Sequence, residues 1–167
     1  MRSLLIVSDT GPLRYLIEVG CADVLPKLYG QVLTTPQVLA ELRLPHFPSA
    51  VRAWADRAPA WLCIESPTAT KFLDSLDEGE ATALSLALER HADVLLVDER
   101  KATRLARESG VTTAGTLAIL RDAGLSGLID FHSAIAHLTS QTRFRHDKAL
   151  IAQVVKGFDS QRQAKGD

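Results

Sequence analysis

The chain has 167 residues, 46% of them hydrophobic, a length that one domain accounts for and that buries a core without staples. Its formal net charge of −1 supplies no global basic field, so any nucleic-acid contact has to come from a local patch. Cys21 and Cys63 stand far apart and outside any CxxC spacing, and no apolar run approaches the roughly 18 residues of a membrane span; zinc, a disulfide scaffold and the membrane are set aside, and a reducing cytoplasmic location is expected.

The first predicted element is the apolar run Leu4 to Val7, too short for a globular helix and rich in strand formers, which reads as a buried central strand of a parallel sheet. Asp9 follows where this strand leaves the sheet, with Gly11 for a turn and Pro12 at the first position of a helix that Gly20 stops. A short helical piece around Pro26 leads to a strand at Val32 and Leu33. Thr35-Pro36 then reads as a helix cap followed by proline at the first helical position, and the helix PQVLAELRL carries Glu41. After Pro45 and Pro48 come a helix in VRAWADRA, a strand over Leu62 to Ile64, and a loop from Pro67 to Lys71.

The next helix, LDEGEATALSLALERHA, opens with Ser75-x-x-Glu78, a capping-box spacing. At 100° per residue Glu78, Thr82, Ser85 and Glu89 line one side, and Glu80 falls opposite them among Ala83, Leu84 and Ala87. A carboxylate turned inward is costly unless paired, protonated or bound to metal. A second apolar strand, Val94 to Val97, ends in Asp98 and mirrors the opening motif. The helix ERKATRLARES is stopped by Gly110; a strand at Val111 to Thr113 follows, and Gly115-Thr116 opens a helix stopped by Gly124. The remainder is helical to Phe158. One domain over residues 1–157 is expected, with 158–167 a polar, frayed tail. Strands alternating with helices predict an α/β domain with a mostly parallel sheet.

Asp9, Glu41, Glu80 and Asp98 are the candidate catalytic and metal-binding residues. Right-handed crossovers bring the carboxyl ends of parallel strands to one edge, so Asp9 and Asp98 are neighbours if their strands are adjacent, and helix-borne Glu41 and Glu80 can reach the same edge. Gathered acids raise one another's pKa unless a cation neutralises them, and oxygen-only ligands suit Mg²⁺ or Mn²⁺. Such a site supports in-line hydrolysis of a phosphodiester by cation-activated water. Singly, each acid has a structural reading: Asp9 and Asp98 as helix caps, Glu41 as a solvated residue, and Asp77, Glu78 and Glu99 as first-turn acids, with Asp77 or Glu99 able to assist a metal.

The motifs DTGPL, the Glu41 helix, LDEGEATALSLALE, ADVLLVDER and GTLAIL, in this order and spacing, resemble the PIN-domain nucleases, on a branch close to the VapC-type toxins of toxin-antitoxin pairs. The tail LTSQTRFRHDKALIAQVV resembles that branch as well. The resemblance implies a three-layer α/β/α sandwich, a Mg²⁺ or Mn²⁺ site of three or four acids, single-strand-directed RNA cleavage, a cognate antitoxin and a homodimer. By position Asp9, Glu41, Glu80 and Asp98 match the family's acids and Thr10 the hydroxyl residue beside the first. Whether Asp77 or Glu80 is the third acid stays open, and Glu99 stands where the family often adds another.

Arg100, Lys101, Arg104 and Arg107 follow Asp98 at helical spacing and suit the backbone phosphates of RNA, or else form a solvated face with Glu99 and Glu108. Arg143, Arg145 and Lys148 make a smaller cluster. The histidines show no ligand spacing, and Trp54 and Trp61 read as core or interface residues. The alternative to a nuclease is a non-catalytic module of the same fold, its acids acting as caps and its function being protein or RNA association.

Overall fold

The five strands β1 (Leu4–Ser8), β2 (Gly30–Thr34), β3 (Leu62–Ile64), β4 (Val94–Leu96) and β5 (Thr113–Ala114) pair in the order β3-β2-β1-β4-β5, and all four pairings are parallel. This computed structural model describes residues 3–166. Helices fill the connections: α1 (Thr10–Glu18), α2 (Val24–Leu28), α3 (Pro36–Leu42), α4 (Ser49–Asp56), α5 (Glu78–Glu89) and α6 (Arg100–Glu108), followed by α7 (Thr116–Leu125), α8 (Phe131–Gln141) and α9 (Lys148–Gly166). The fold class is the α/β class that the alternation predicts, consistent with the sandwich that the resemblance implies. The apolar run of β1 lies at the centre of the sheet, with Ile6 and Val7 fully buried.

The chain steps from β1 through β2 to β3 on one side, then crosses back to place β4 and β5 on the other. The reversal falls between β1 and β4, and in open α/β sheets the crevice outside the carboxyl ends at such a point is where ligands bind. The Asp9 backbone N–H donates to the Leu96 carbonyl at 2.9 Å, so the edge that carries Asp9 is tied directly to the end of β4.

Local signals placed several elements as read. Thr35 caps α3, its hydroxyl accepting from Val38 N at 3.2 Å, and Pro36 takes the first helical position, where its missing N–H costs nothing. Gly110 adopts φ +84° just after α6. Elsewhere the structure corrects the reading. Helix α1 begins at Thr10, with Asp9 as its N-cap residue, so Gly11 and Pro12 lie in its first turn and no separate turn precedes it. Thr82 and Ser85, read on the side of α5 opposite Ala83, Leu84 and Ala87, are buried as well; Thr82 shares a hydrogen bond with Thr35 at 2.9 Å, and the Ser85 hydroxyl accepts from Lys71 N at 2.8 Å. Hydroxyls with partners can be buried, and α5 is enclosed on both sides from Gly79 to Ala87. Strand β5 sits one to two residues later than expected.

The chain divides into two compact units after Thr116. The first carries the whole sheet and helices α1 to α6. In the second, Phe131 and Phe158 stack at 4.1 Å between ring centroids, and His132 meets Asp159 at 2.9 Å. Gly124 lies within α7 and does not stop it: a Cβ there would stand 2.7 Å from Phe131 Cβ and 2.8 Å from Phe158 Cε2, so the glycine admits the aromatic pair. Gly127, at φ +73°, follows the helix end instead. The stretch read as a polar tail is helical through Gly166, and its first residue, Phe158, is 1% exposed. Among the described residues no helix is long and apolar enough to cross a membrane.

Candidate active site

Asp9 stands at the N-cap of α1, where a carboxylate ordinarily accepts from the first-turn amides, yet its side chain makes no cap hydrogen bond. It is 5% exposed, and Oδ1 is buried without a hydrogen-bond partner; among the described residues only Gln37 Oε1, one turn before Glu41 on α3, shares that condition. The capping explanation for Asp9 therefore fails. A buried carboxyl oxygen left unpaired is a local cost, and such atoms call for a reason.

Glu80, Glu41 and Asp77 lie close enough to Asp9 to act on its charge. Thr10, the residue after Asp9, donates from its hydroxyl to Glu41 Oε2 at 2.9 Å, which joins α1 to α3. The start of α5 closes on the same pair: a Cβ at Gly79 would stand 2.6 Å from Glu41 Oε2 and 3.5 Å from Thr10 Oγ1. On the other flank a Cβ at Gly11 would stand 3.2 Å from Asp98 Oδ2. Asp98 does not cap α6. That role belongs to Glu99, whose carboxylate accepts from Lys101 N at 3.0 Å and Ala102 N at 2.7 Å, while Asp98 accepts from Thr116.

Glu80 corrects the sequence reading in one respect. The capping box at the start of α5 is Asp77 with Glu80, in place of Ser75 with Glu78: Asp77 accepts from Glu80 N at 2.8 Å, and Glu80 Oε1 accepts from Asp77 N at 3.1 Å. Glu80 thus turns back over the helix start instead of inward among Ala83, Leu84 and Ala87, and it is half-buried.

The electrostatics report the crowding. Burial pushes Asp9 well above the usual carboxylate range; the Thr10 backbone draws it back, and the charges of Glu80, Glu41 and Asp77 drive it higher. Burial also raises Glu41, against the Thr10 hydroxyl bond, with Asp77 adding to the rise. Glu80 is raised to about 7 by burial, with Asp77 and Glu99 adding repulsion, and Asp98 is raised by burial against its Thr116 bonds. Acids raised in the folded state hold protons that the unfolded chain has released, so their contribution is fully present at low pH and declines as pH climbs from the ordinary carboxylate range toward the folded pKa. In EDTA the melting temperature is expected to fall between pH 4.5 and about 7. The slope should be shallower in Glu80→Gln, and a wild-type melting temperature that rises across this window would contradict the crowding.

A hard divalent cation is the group these residues suit. Among the described residues no three His, Cys, Asp or Glu side chains already stand as a set that could hold a metal ion. The fit lies in donor chemistry: an unpartnered Asp9 oxygen, carboxylates whose repulsion a cation would relieve, and glycines that admit them. The sequence reading had Gly115-Thr116 only as the opening of a helix and gave Gly79 no part of its own; their contacts with Asp98 and Glu41 are set by parts of the chain that folding brings together. Arg100, Lys101, Arg104 and Arg107 are all exposed on α6; Arg104 lies 3.8 Å from Glu108, and Arg107 Nε donates to Thr113 Oγ1 at 3.1 Å. Trp54 and Trp61 face one another at 6.0 Å, away from the acids in sequence and half-buried.

A search of curated proteins finds no match to the chain. A family model described as a PIN domain matches residues 5–160, nearly the whole length, and so covers the sheet, Asp9, Glu41, Glu80 and Asp98. By that match the chain belongs to the PIN-domain family.

Proposed function

We propose that this chain is a Mg²⁺- or Mn²⁺-dependent endoribonuclease acting on single-stranded or structured RNA. The observation that carries the reading is Asp9, buried at the strand-switch crevice with an unpartnered oxygen and with Glu41, Glu80 and Asp77 bearing on its charge. Asp9, Glu41, Glu80 and Asp98 would hold the cation, with Thr10, Asp77 and Glu99 supporting them. When bound, such an ion supplies a Lewis acid for the phosphate and lowers the pKa of water at neutral pH. The chain's own residues do the rest. Thr10 fixes Glu41 by its hydroxyl bond, and the Asp77 capping box orients Glu80. The exposed guanidinium groups and ammonium on α6, starting two residues after Asp98, would bind backbone phosphates and set the strand along the crevice.

The finer reading is the toxin of a toxin-antitoxin pair, a cytoplasmic homodimer restrained by a cognate antitoxin. Its support is the order and spacing of the motifs from DTGPL to GTLAIL, and a gene for a small helix-rich DNA-binding protein beside this one would add to it. The direct test of the activity is cleavage of a single-stranded RNA oligonucleotide. Cleavage is expected with Mn²⁺ and absent in EDTA; equal cleavage in both contradicts the mechanism, and none in either favours the non-catalytic binding module.

Gly79 provides a sharper test of the geometry. In Gly79→Ala the new methyl group would enter the Glu41 carboxylate and part it from Thr10, and the RNA cleavage rate is expected to drop about tenfold or more, as ångström displacements in active sites do. The helix itself gains up to about 1 kcal/mol of propensity, so melting should change little. Wild-type cleavage by Gly79→Ala would show that the Glu41 position is immaterial.

A further inference from the structure

Asp98 leaves β4 with no cap role of its own, and its carboxylate is gripped from a distant part of the chain. The Thr116 backbone N–H donates to Oδ1 at 2.8 Å and the Thr116 hydroxyl to Oδ2 at 2.7 Å, one donor to each oxygen. Thr116 is wholly buried at the N-terminus of α7, a position where a helix favours negative charge. Two glycines give the carboxylate its slot: a Cβ at Gly115 would stand 2.7 Å from Oδ1, and one at Gly11 would stand 3.2 Å from Oδ2.

We propose that Thr116 is a positioning residue for the candidate metal site, clamping both oxygens of Asp98 so that the carboxylate is held in one orientation beside the first turn of α1. The inference rests on the metal-dependent reading above. A carboxylate has about four lone-pair positions, and the clamp uses one on each oxygen, leaving the others for a cation. With the amide bond alone the group can swing about Cβ–Cγ; the hydroxyl removes that freedom. Hydrogen bonds to a ligating carboxylate of this kind typically carry 10–100-fold in metal affinity.

The experiment is calorimetric titration of Mn²⁺ into the full-length, EDTA-stripped protein as wild type, Thr116→Val, Thr116→Ser and Thr116→Ala, with thermal melting of each. Valine keeps the volume and loses the hydroxyl; it is expected to weaken Mn²⁺ binding by about tenfold or more, and serine to stay within about threefold of wild type. Should valine fail to melt cooperatively, alanine carries the same comparison. Wild-type affinity in the hydroxyl-free variants overturns the clamp alone, and so does a serine variant as weak as valine. A wild-type protein that binds no Mn²⁺ overturns the metal reading and this inference together.

Discussion

Asp9→Asn is expected to lower Mn²⁺-dependent RNA cleavage by at least about 100-fold while making the metal-free protein more stable. The two effects have one source. The substitution keeps the shape of the side chain and removes a charge that is 5% exposed, lacks a partner on Oδ1, and is repelled by Glu80, Glu41 and Asp77. Relief of even ~1 kcal/mol would raise the melting temperature in EDTA by roughly 3 °C in a chain of this size. Most substitutions of buried residues destabilise, so gain of stability with loss of activity marks a residue retained for chemistry at the expense of the fold. Retained cleavage, or a melting temperature that falls by several degrees, would assign Asp9 to structure.

Phe158→Ala is expected to cost about 3–5 kcal/mol, the usual range for emptying a buried phenylalanine site, and so to lower melting by roughly 10 °C. Phe158 is 1% exposed, stacks on Phe131 with 18° between the planes, and lies against Gly124, which has no side chain to fill the space. Phe158→Leu should cost clearly less. A loss under about 1 kcal/mol in the alanine variant would return residues 158–167 to the status of a dispensable tail.

What the sequence disclosed and what it hid divide along the distance over which each feature is decided. Thr35 and Pro36 announce α3 because cap and first-turn chemistry are local, and Leu4 to Val7 announce β1 because a short all-apolar run has few other places to go. Alternation and crossover handedness put the ends of the strands that precede Asp9 and Asp98 at one edge if those strands are adjacent, and β1 does pair with β4 in parallel. The start of α1 was misplaced because Gly11 and Pro12 carry a turn signal that the helix overrides, the glycine being present to admit Asp98. The spacing Ser75-x-x-Glu78 suggested one capping box for α5, and the structure forms it two residues later from Asp77 and Glu80, where Gly79 packs on Glu41 and Thr10. The burial of Thr82 and Ser85 was not legible because their partners, Thr35 and Lys71, lie outside the helix. Gly124 read as a helix stop for the same reason: the aromatic rings it accommodates arrive later in the chain.

Asp9 and Asp98 end the two strands that flank the switch point, and the hydroxyls that follow or face them, Thr10 and Thr116, are turned to Glu41 and Asp98 respectively. Serving the carboxylates, neither hydroxyl is left to solvent.

If, as proposed, carboxylates from four segments share one divalent ion through Asp9, calorimetric titration of Mn²⁺ into EDTA-stripped protein at neutral pH, beside Asp9→Asn, reads it out. One ion bound per chain in the wild type and none in the variant is the expected result; no heat in the wild type, or the same isotherm for both proteins, would contradict it.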